Sequence, residues 1–237
     1  FTMKLKKIAS LALAGVMAVS VLTACGSNAV DEQPPVDNGN DTTVTGYSAK
    51  LQSELSAIAA DHITFSDSSE LNSALQYASG NVGNNAITNA FIKEMNSGKI
   101  VTINSNTAFG LVQDGLRDAL DVKFEDNKTS DKVVEDMNPQ KDYKDYANYY
   151  TKNDINNVIL YVVDGGVDLN NAMDQIANDI GDKLEKLTDD FDSDGDGKAD
   201  VNYNYTGSVA TCTKTYEAGH GMSVHFIAVE LVRHIGK

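Results

Sequence analysis

The chain has no tryptophan, two cysteines and three prolines among 237 residues, and only 19 basic residues against 34 acidic ones. Each shortage excludes something. Without tryptophan the broadest aromatic surface for stacking on sugars is missing, which argues against a carbohydrate site. Two cysteines cannot build a disulfide framework, so an ordinary apolar core must hold the fold, and a chain of this length can bury one. A formal charge of −15 repels phosphate backbones and anionic headgroups and favours cations or basic partners, so no nucleic-acid binding is expected. Missing too are a glycine-rich phosphate loop, a G-x-S-x-G elbow, an H-E-x-x-H pair and any zinc spacing among His62, His220, His225 and His234.

What is present begins at the amino end. Met3 is read as the initiator, carried with Phe1 and Thr2. Lys4, Lys6 and Lys7 form a positive start, and no charge follows from Ile8 to Ala24. This is the pattern of a secretory signal, slightly short for a membrane span of about 20 residues. It ends in Leu22-Thr23-Ala24-Cys25-Gly26-Ser27, which resembles the lipobox of bacterial lipoproteins. The resemblance implies diacylglyceryl on the Cys25 thiol, cleavage just before it, and a lipid anchor on the extracytoplasmic face of a membrane. Two or more acyl chains anchor stably where one is marginal. Without residues 1–24 the chain keeps 16 basic and 34 acidic residues, a net charge of −18. A lipidated Cys25 would leave Cys212 with no partner in the chain, best read as a small buried apolar residue.

Residues 25–46, with Pro34-Pro35 and Asn38-Gly39-Asn40, have almost nothing to build a core and are read as a flexible tether. Residues 47–237 then suit one domain. Leu51, Leu55, Ile58 and His62 fall at helical spacing after Ser48, a short helix follows Ser66-Asp67, and Ile87, Phe91 and Met95 mark a third, stopped by Gly98. Ile100–Ile103 is a short strand, leading through the capping pair Ser105-Asn106 to a helix with Phe109, Val112, Leu116 and Leu120 on one face. Residues 126–156 are polar, with short helices expected on either side of Pro139. Val158–Val163 is an unbroken apolar run, the mark of a strand central in a sheet. Asp168 can cap a long helix burying Leu169, Met173, Ile176, Ile180, Leu184 and Leu187. Residues 201–216 and 222–235 read as a long hairpin turning at Glu217–Gly221. The order predicts an α+β fold: N-terminal helices and one long helix on a mixed sheet that ends in the hairpin.

The densest chemical motif is Asp192-Ser193-Asp194-Gly195-Asp196-Gly197-Lys198-Ala199-Asp200. Alternate carboxylates converge when the backbone curls, and so close a cluster of like charge calls for a cation. The run resembles the first nine positions of an EF-hand-type calcium loop. The resemblance implies side-chain ligands at Asp192, Asp194 and Asp196, a carbonyl ligand at Lys198, direct or water-mediated binding at Asp200, and Gly197 at the sharp bend. The twelfth position departs from the family, being Tyr203 rather than a bidentate Glu, with Asp189 or Asp190 as substitutes. A helix–loop–strand variant is therefore expected, holding a structural Ca2+ at the weak affinity of extracellular sites, about 10⁻⁴–10⁻³ M.

Other candidates carry less. Asp164-Gly165-Gly166 ends a buried strand before a helix, where ligands often bind, though glycines there also serve ordinary turns. Tyr143, Tyr146, Tyr149 and Tyr150 could stack on sugars or peptides or lie half-buried along a helix edge. A Cys212/His225 nucleophile pair needs hairpin partners whose numbers sum to 437, whereas turn chemistry favours 438 or 439. The combined expectation is a lipid-anchored surface binding or structural module with a calcium loop and an unknown extracellular ligand or protein partner. Alternatives are a small-ligand-binding lipoprotein serving a transporter, or an extracellular hydrolase with an acidic site. Nothing in the sequence assigns catalysis.

Overall fold

Ser56 divides the first helical stretch. Its hydroxyl accepts from the Ala59 N–H at 3.2 Å, and Leu55 before it is extended (φ −71°, ψ 150°), so α1 (Tyr47–Glu54) stops and α2 (Ala57–His62) starts afresh. The cap satisfies an amide that a helix start otherwise leaves orphaned. The single helix expected through Leu51, Leu55, Ile58 and His62 is therefore two. The restart also resets the helical phase: Ala59 takes the buried position, and Ile58, expected on the core face, is 59% exposed.

The computed structural model describes residues 46–80, 93–95, 97–103, 109–122, 137–138, 154–216 and 222–236. After α2 come β1 (Ile63–Phe65), α3 (Ser69–Ser79), β2 (Val101–Ile103), α4 (Gly110–Ala119), β3 (Ile155–Asp164), α5 (Leu169–Leu184), β4 (Asp190–Phe191), β5 (Val201–Tyr216) and β6 (Met222–Gly236). Ser68 caps α3 through the Leu71 N–H at 3.1 Å, and Asp168 caps α5 through the Asn170 N–H at 2.7 Å, as its place in the sequence implies. Ile87, Phe91, the Ser105-Asn106 pair and the Pro139 region lie outside the described residues, while Met95 is fully buried.

The strands form one sheet in the order β1-β5-β6-β3-β2, with β4 attached to β5. β1 runs parallel to β5 and every other pairing is antiparallel, which makes the sheet mixed and the fold α+β. The expected hairpin is β5–β6. Its opposed residues run from Asn202↔Gly236 to Tyr216↔Met222, a constant sum of 438.

β3 shows why alternation disappears from its sequence. Ile159, Tyr161 and Val163 pack on one face with Leu51, Met173, Ile176 and Ile180 from α1 and α5. Val158, Leu160 and Val162 pack on the other with Leu71, Leu75, Val112 and Leu116 from α3 and α4. Helices cover both faces, so both sets of side chains must be apolar. Each buried Leu or Ile contributes about 1.5–3 kcal/mol, which makes this double layer the main source of stability. Beyond the apolar stretch the second face turns polar. There Asn156 Nδ2 and Ser208 Oγ donate to the two oxygens of Glu230 at 2.9 and 3.0 Å.

Candidate metal centre

Phe191 and Val201 close the base of the acidic loop. They pair across β4 and β5, both side chains are buried, and the Phe191 carbonyl accepts from the Asp200 N–H at 2.9 Å. The loop was expected to lead straight from helix to strand. Instead a two-residue strand intervenes, because burying Phe191 draws the chain onto the sheet edge before the acidic run begins. Asp192–Asp200 therefore project as the tip of a small hairpin.

Within the tip each carboxylate is already held. Asp192 accepts from the Gly195 N–H at 2.7 Å and, through its other oxygen, from the Gly197 N–H at 2.8 Å. Asp194 accepts from Asp196 N–H at 3.0 Å, Asp196 from Lys198 N–H at 2.8 Å, and Asp200 from the amide and hydroxyl of Ser193 at 2.8 and 2.5 Å. Gly197 has φ 85°, a left-handed conformation that side chains resist, which matches the bend its position implies. The Gly197 amide foremost, with Gly195, holds the Asp192 carboxyl below its ordinary range, and Ser193 does the same for Asp200.

One oxygen each from Asp192, Asp194 and Asp200 lies within 4.8 Å of the other two. Oxygens on opposite sides of one calcium stand about 4.6–5.2 Å apart, so the three fit a single shell, and carboxylate oxygens are the donors a hard cation takes. Asp196 stands outside this group, with its carboxylate 3.9 Å from the Lys198 ammonium. Neither sequence substitute for the twelfth-position Glu joins it. Asp189 pairs with His62 Nδ1 at 2.9 Å, and Asp190 lies in β4. Tyr203 turns into the core, where the Arg233 guanidinium lies over its ring.

The Asp164 turn is tied up internally. Asp164 accepts from the Gly166 N–H at 2.8 Å, and the Gly165 N–H donates to the Ser223 carbonyl at 2.9 Å. A Cβ on Gly165 would lie 2.1 Å from Ser223 Oγ, so the glycine answers to close strand packing. Cys212 is buried opposite Phe226, with its sulfur 3.4 Å from Ser79 Oγ, and the 437 register is absent. His225 faces Thr213 instead and meets its hydroxyl at 2.7 Å; burial pushes the imidazole below its ordinary pKa, against the opposing pull of the Gly165 and Val167 backbone. Cys25, His220 and the four tyrosines lie outside the described residues.

Sequence reasoning missed one constellation. His234 Nε2 lies 2.9 Å from Thr206 Oγ1 and its Nδ1 lies 3.0 Å from Asp154, whose other oxygen accepts from the Ile235 N–H at 2.9 Å. Burial alone would raise the Asp154 carboxyl, but Ile235, His234 and Arg233 outweigh it and hold the group below its usual value. The hairpin register is the signal that finds the pair. With a sum of 438, Thr206 and His234 are diagonal neighbours on one sheet face.

No known protein family matches the chain, and no match to it is found among curated proteins or solved structures. Among the described residues no helix is long and apolar enough to cross a membrane.

Proposed function

We propose that this protein is an extracytoplasmic lipoprotein, anchored through lipid on Cys25, whose domain acts as a surface binding or structural module stabilised by one calcium ion in the 192–200 loop. The observation that carries the metal half is the convergence of Asp192, Asp194 and Asp200 at the tip of a hairpin whose base is already fixed. The Lys198 carbonyl, water and the Asp196 carboxylate, once it swings in from its place outside the three, would complete the 6–8 oxygens that calcium takes. The role is structural. The loop stands between α5 and the β5–β6 hairpin, so a bound cation would relieve the carboxylate repulsion and brace their connection. The −18 surface adds nothing for nucleic acid and leaves an extracellular ligand or protein as the partner. A ligand or catalytic site at Asp164 has less support, since its carboxylate and both glycines are engaged in the turn.

Two measurements test the two halves. The native protein should carry diacylglyceryl on Cys25 by mass spectrometry, and Cys25→Ser should shed protein into the medium or leave it uncleaved; an unlipidated Cys25 in membrane-bound protein would contradict the anchor. Calorimetric titration should show one calcium site with Kd about 10⁻⁴–10⁻³ M, lost in Asp192→Asn. Heats of dilution alone would remove the metal.

A further inference from the structure

We propose that Thr206, His234 and Asp154 form an acyl-transfer site in which the Thr206 hydroxyl is the nucleophile. The three side chains make one continuous chain, Thr206 Oγ1 to His234 Nε2 at 2.9 Å and His234 Nδ1 to Asp154 Oδ2 at 3.0 Å. A carboxylate at Nδ1 can only accept, so Nδ1 carries the imidazole proton and Nε2 is left to accept from the threonine hydroxyl. That is the tautomer a general base needs. The Ile235 amide fixes the second Asp154 oxygen, which sets the carboxylate's orientation, and both strands that carry Thr206 and His234 are locked in a long ladder. The site is also reachable: Thr206 is exposed, and the His234 and Asp154 side chains are 40% and 57% exposed. The site lies a few residues along β5 from the base of the acidic loop, but none of its three side chains belongs to that loop, and the inference does not depend on calcium or on the lipid anchor.

The chemistry follows from the arrangement. Thr206 Oγ1 attacks the carbonyl carbon of an ester while its proton passes to His234 Nε2, and Asp154 stabilises the imidazolium. The tetrahedral adduct collapses with cleavage of the ester C–O bond, and the leaving oxygen takes the proton from Nε2. Water then gives a proton to Nε2 as its oxygen attacks the acyl-threonine, releasing the carboxylic acid and restoring the hydroxyl. The net reaction is ester plus water to acid plus alcohol. At Thr206 β5 is paired on both sides, with β1 and with β6, so its backbone amides serve the sheet and not an oxyanion. Weak oxyanion stabilisation confines the substrate class to esters with a good leaving group, aryl esters above all.

The full chain should hydrolyse p-nitrophenyl acetate above the buffer rate and show acetyl on the Thr206 peptide by mass spectrometry after an acid quench. The near-isosteric Thr206→Val, and His234→Ala, should each lower the rate at least ~100-fold, while Thr206→Ser keeps it within about tenfold. Circular dichroism melts of each variant separate chemistry from unfolding. Wild type no faster than buffer, a folded Thr206→Val at the wild-type rate, or acetyl only at other residues would overturn the proposal.

Discussion

The guanidinium carbon of Arg233 lies 4.3 Å from the centroid of the Tyr203 ring, inside the core. The side chain is wholly buried, and one of its nitrogens donates to the Met137 carbonyl at 2.7 Å. Beside it burial pushes the Tyr205 phenol well above its ordinary pKa, so it stays protonated and donates to the Thr188 carbonyl at 2.7 Å. Tyr203 and Tyr205 thus pin the start of β5, and Arg233 packs the exit of the acidic loop from within.

Removing that charge should cost stability, and how it is removed should matter. A desolvated cation–π contact is worth about 2 kcal/mol and a charged hydrogen bond about 1.5–3 kcal/mol, offset by the cost of keeping a cation out of water. Arg233→Ala, which also loses the apolar stem, should destabilise by about 3 kcal/mol, a melting shift of roughly 6–12 °C. Arg233→Met keeps the stem and buries no charge, so chemical denaturation should show less than half that loss.

Cys212 should behave as a packed side chain. A thiol reagent is expected to label it slowly in the native protein and quickly in denaturant, and Cys212→Ala should leave the calcium response unchanged. Fast native labelling would mean that the β5–α3 contact through Ser79 opens readily.

His225 gives the fold a pH dependence whose sign is fixed. Burial depresses its pKa in the folded state, so below the unfolded value of about 6.5 the unfolded chain takes up the proton first. The stability held above that pH is therefore lost as pH falls. Melting temperature should drop between pH 7 and pH 5, and His225→Gln should flatten that part of the profile. Equal slopes would assign the loss to other groups.

Much of the architecture was legible because its signals are long and local. The run Val158–Val163 announced a strand central in a sheet, and Asp168 with the spacing from Leu169 to Leu187 announced α5. The hairpin was visible as two long strands, with only its register left between two values. Other features depend on contacts far apart in sequence. β1 is three residues whose partner is Tyr205–Gly207, so no local pattern marks it. Ser56 reads as an ordinary helix-surface residue until its cap is seen. Arg233 looks like a polar interruption in an apolar strand, and its burial follows only from Met137 and Tyr203 arriving beside it. In the loop, the motif gave the convergence of Asp192, Asp194 and Asp200 and the Gly197 bend. That Asp196 stays outside the converging three was not readable from the motif, and the inward turn of Tyr203 goes with Arg233 arriving over its ring.

The central claim, that the 192–200 loop holds a structural calcium, is tested most directly by thermal unfolding with and without the ion. With Kd near ~10⁻⁴ M and calcium at ~1 mM, binding to the folded state alone stabilises it by about 1.4 kcal/mol. For a domain of this size the melting temperature should rise by roughly 3–6 °C, with magnesium doing less because it dehydrates reluctantly. Asp194→Asn, which keeps the oxygen that accepts from the Asp196 N–H, should abolish the rise while leaving the metal-free protein slightly more stable, since one repulsive charge is gone. A melting curve unchanged up to ~10 mM calcium, where even weak extracellular sites are largely filled, would contradict the account and leave the loop an acidic turn.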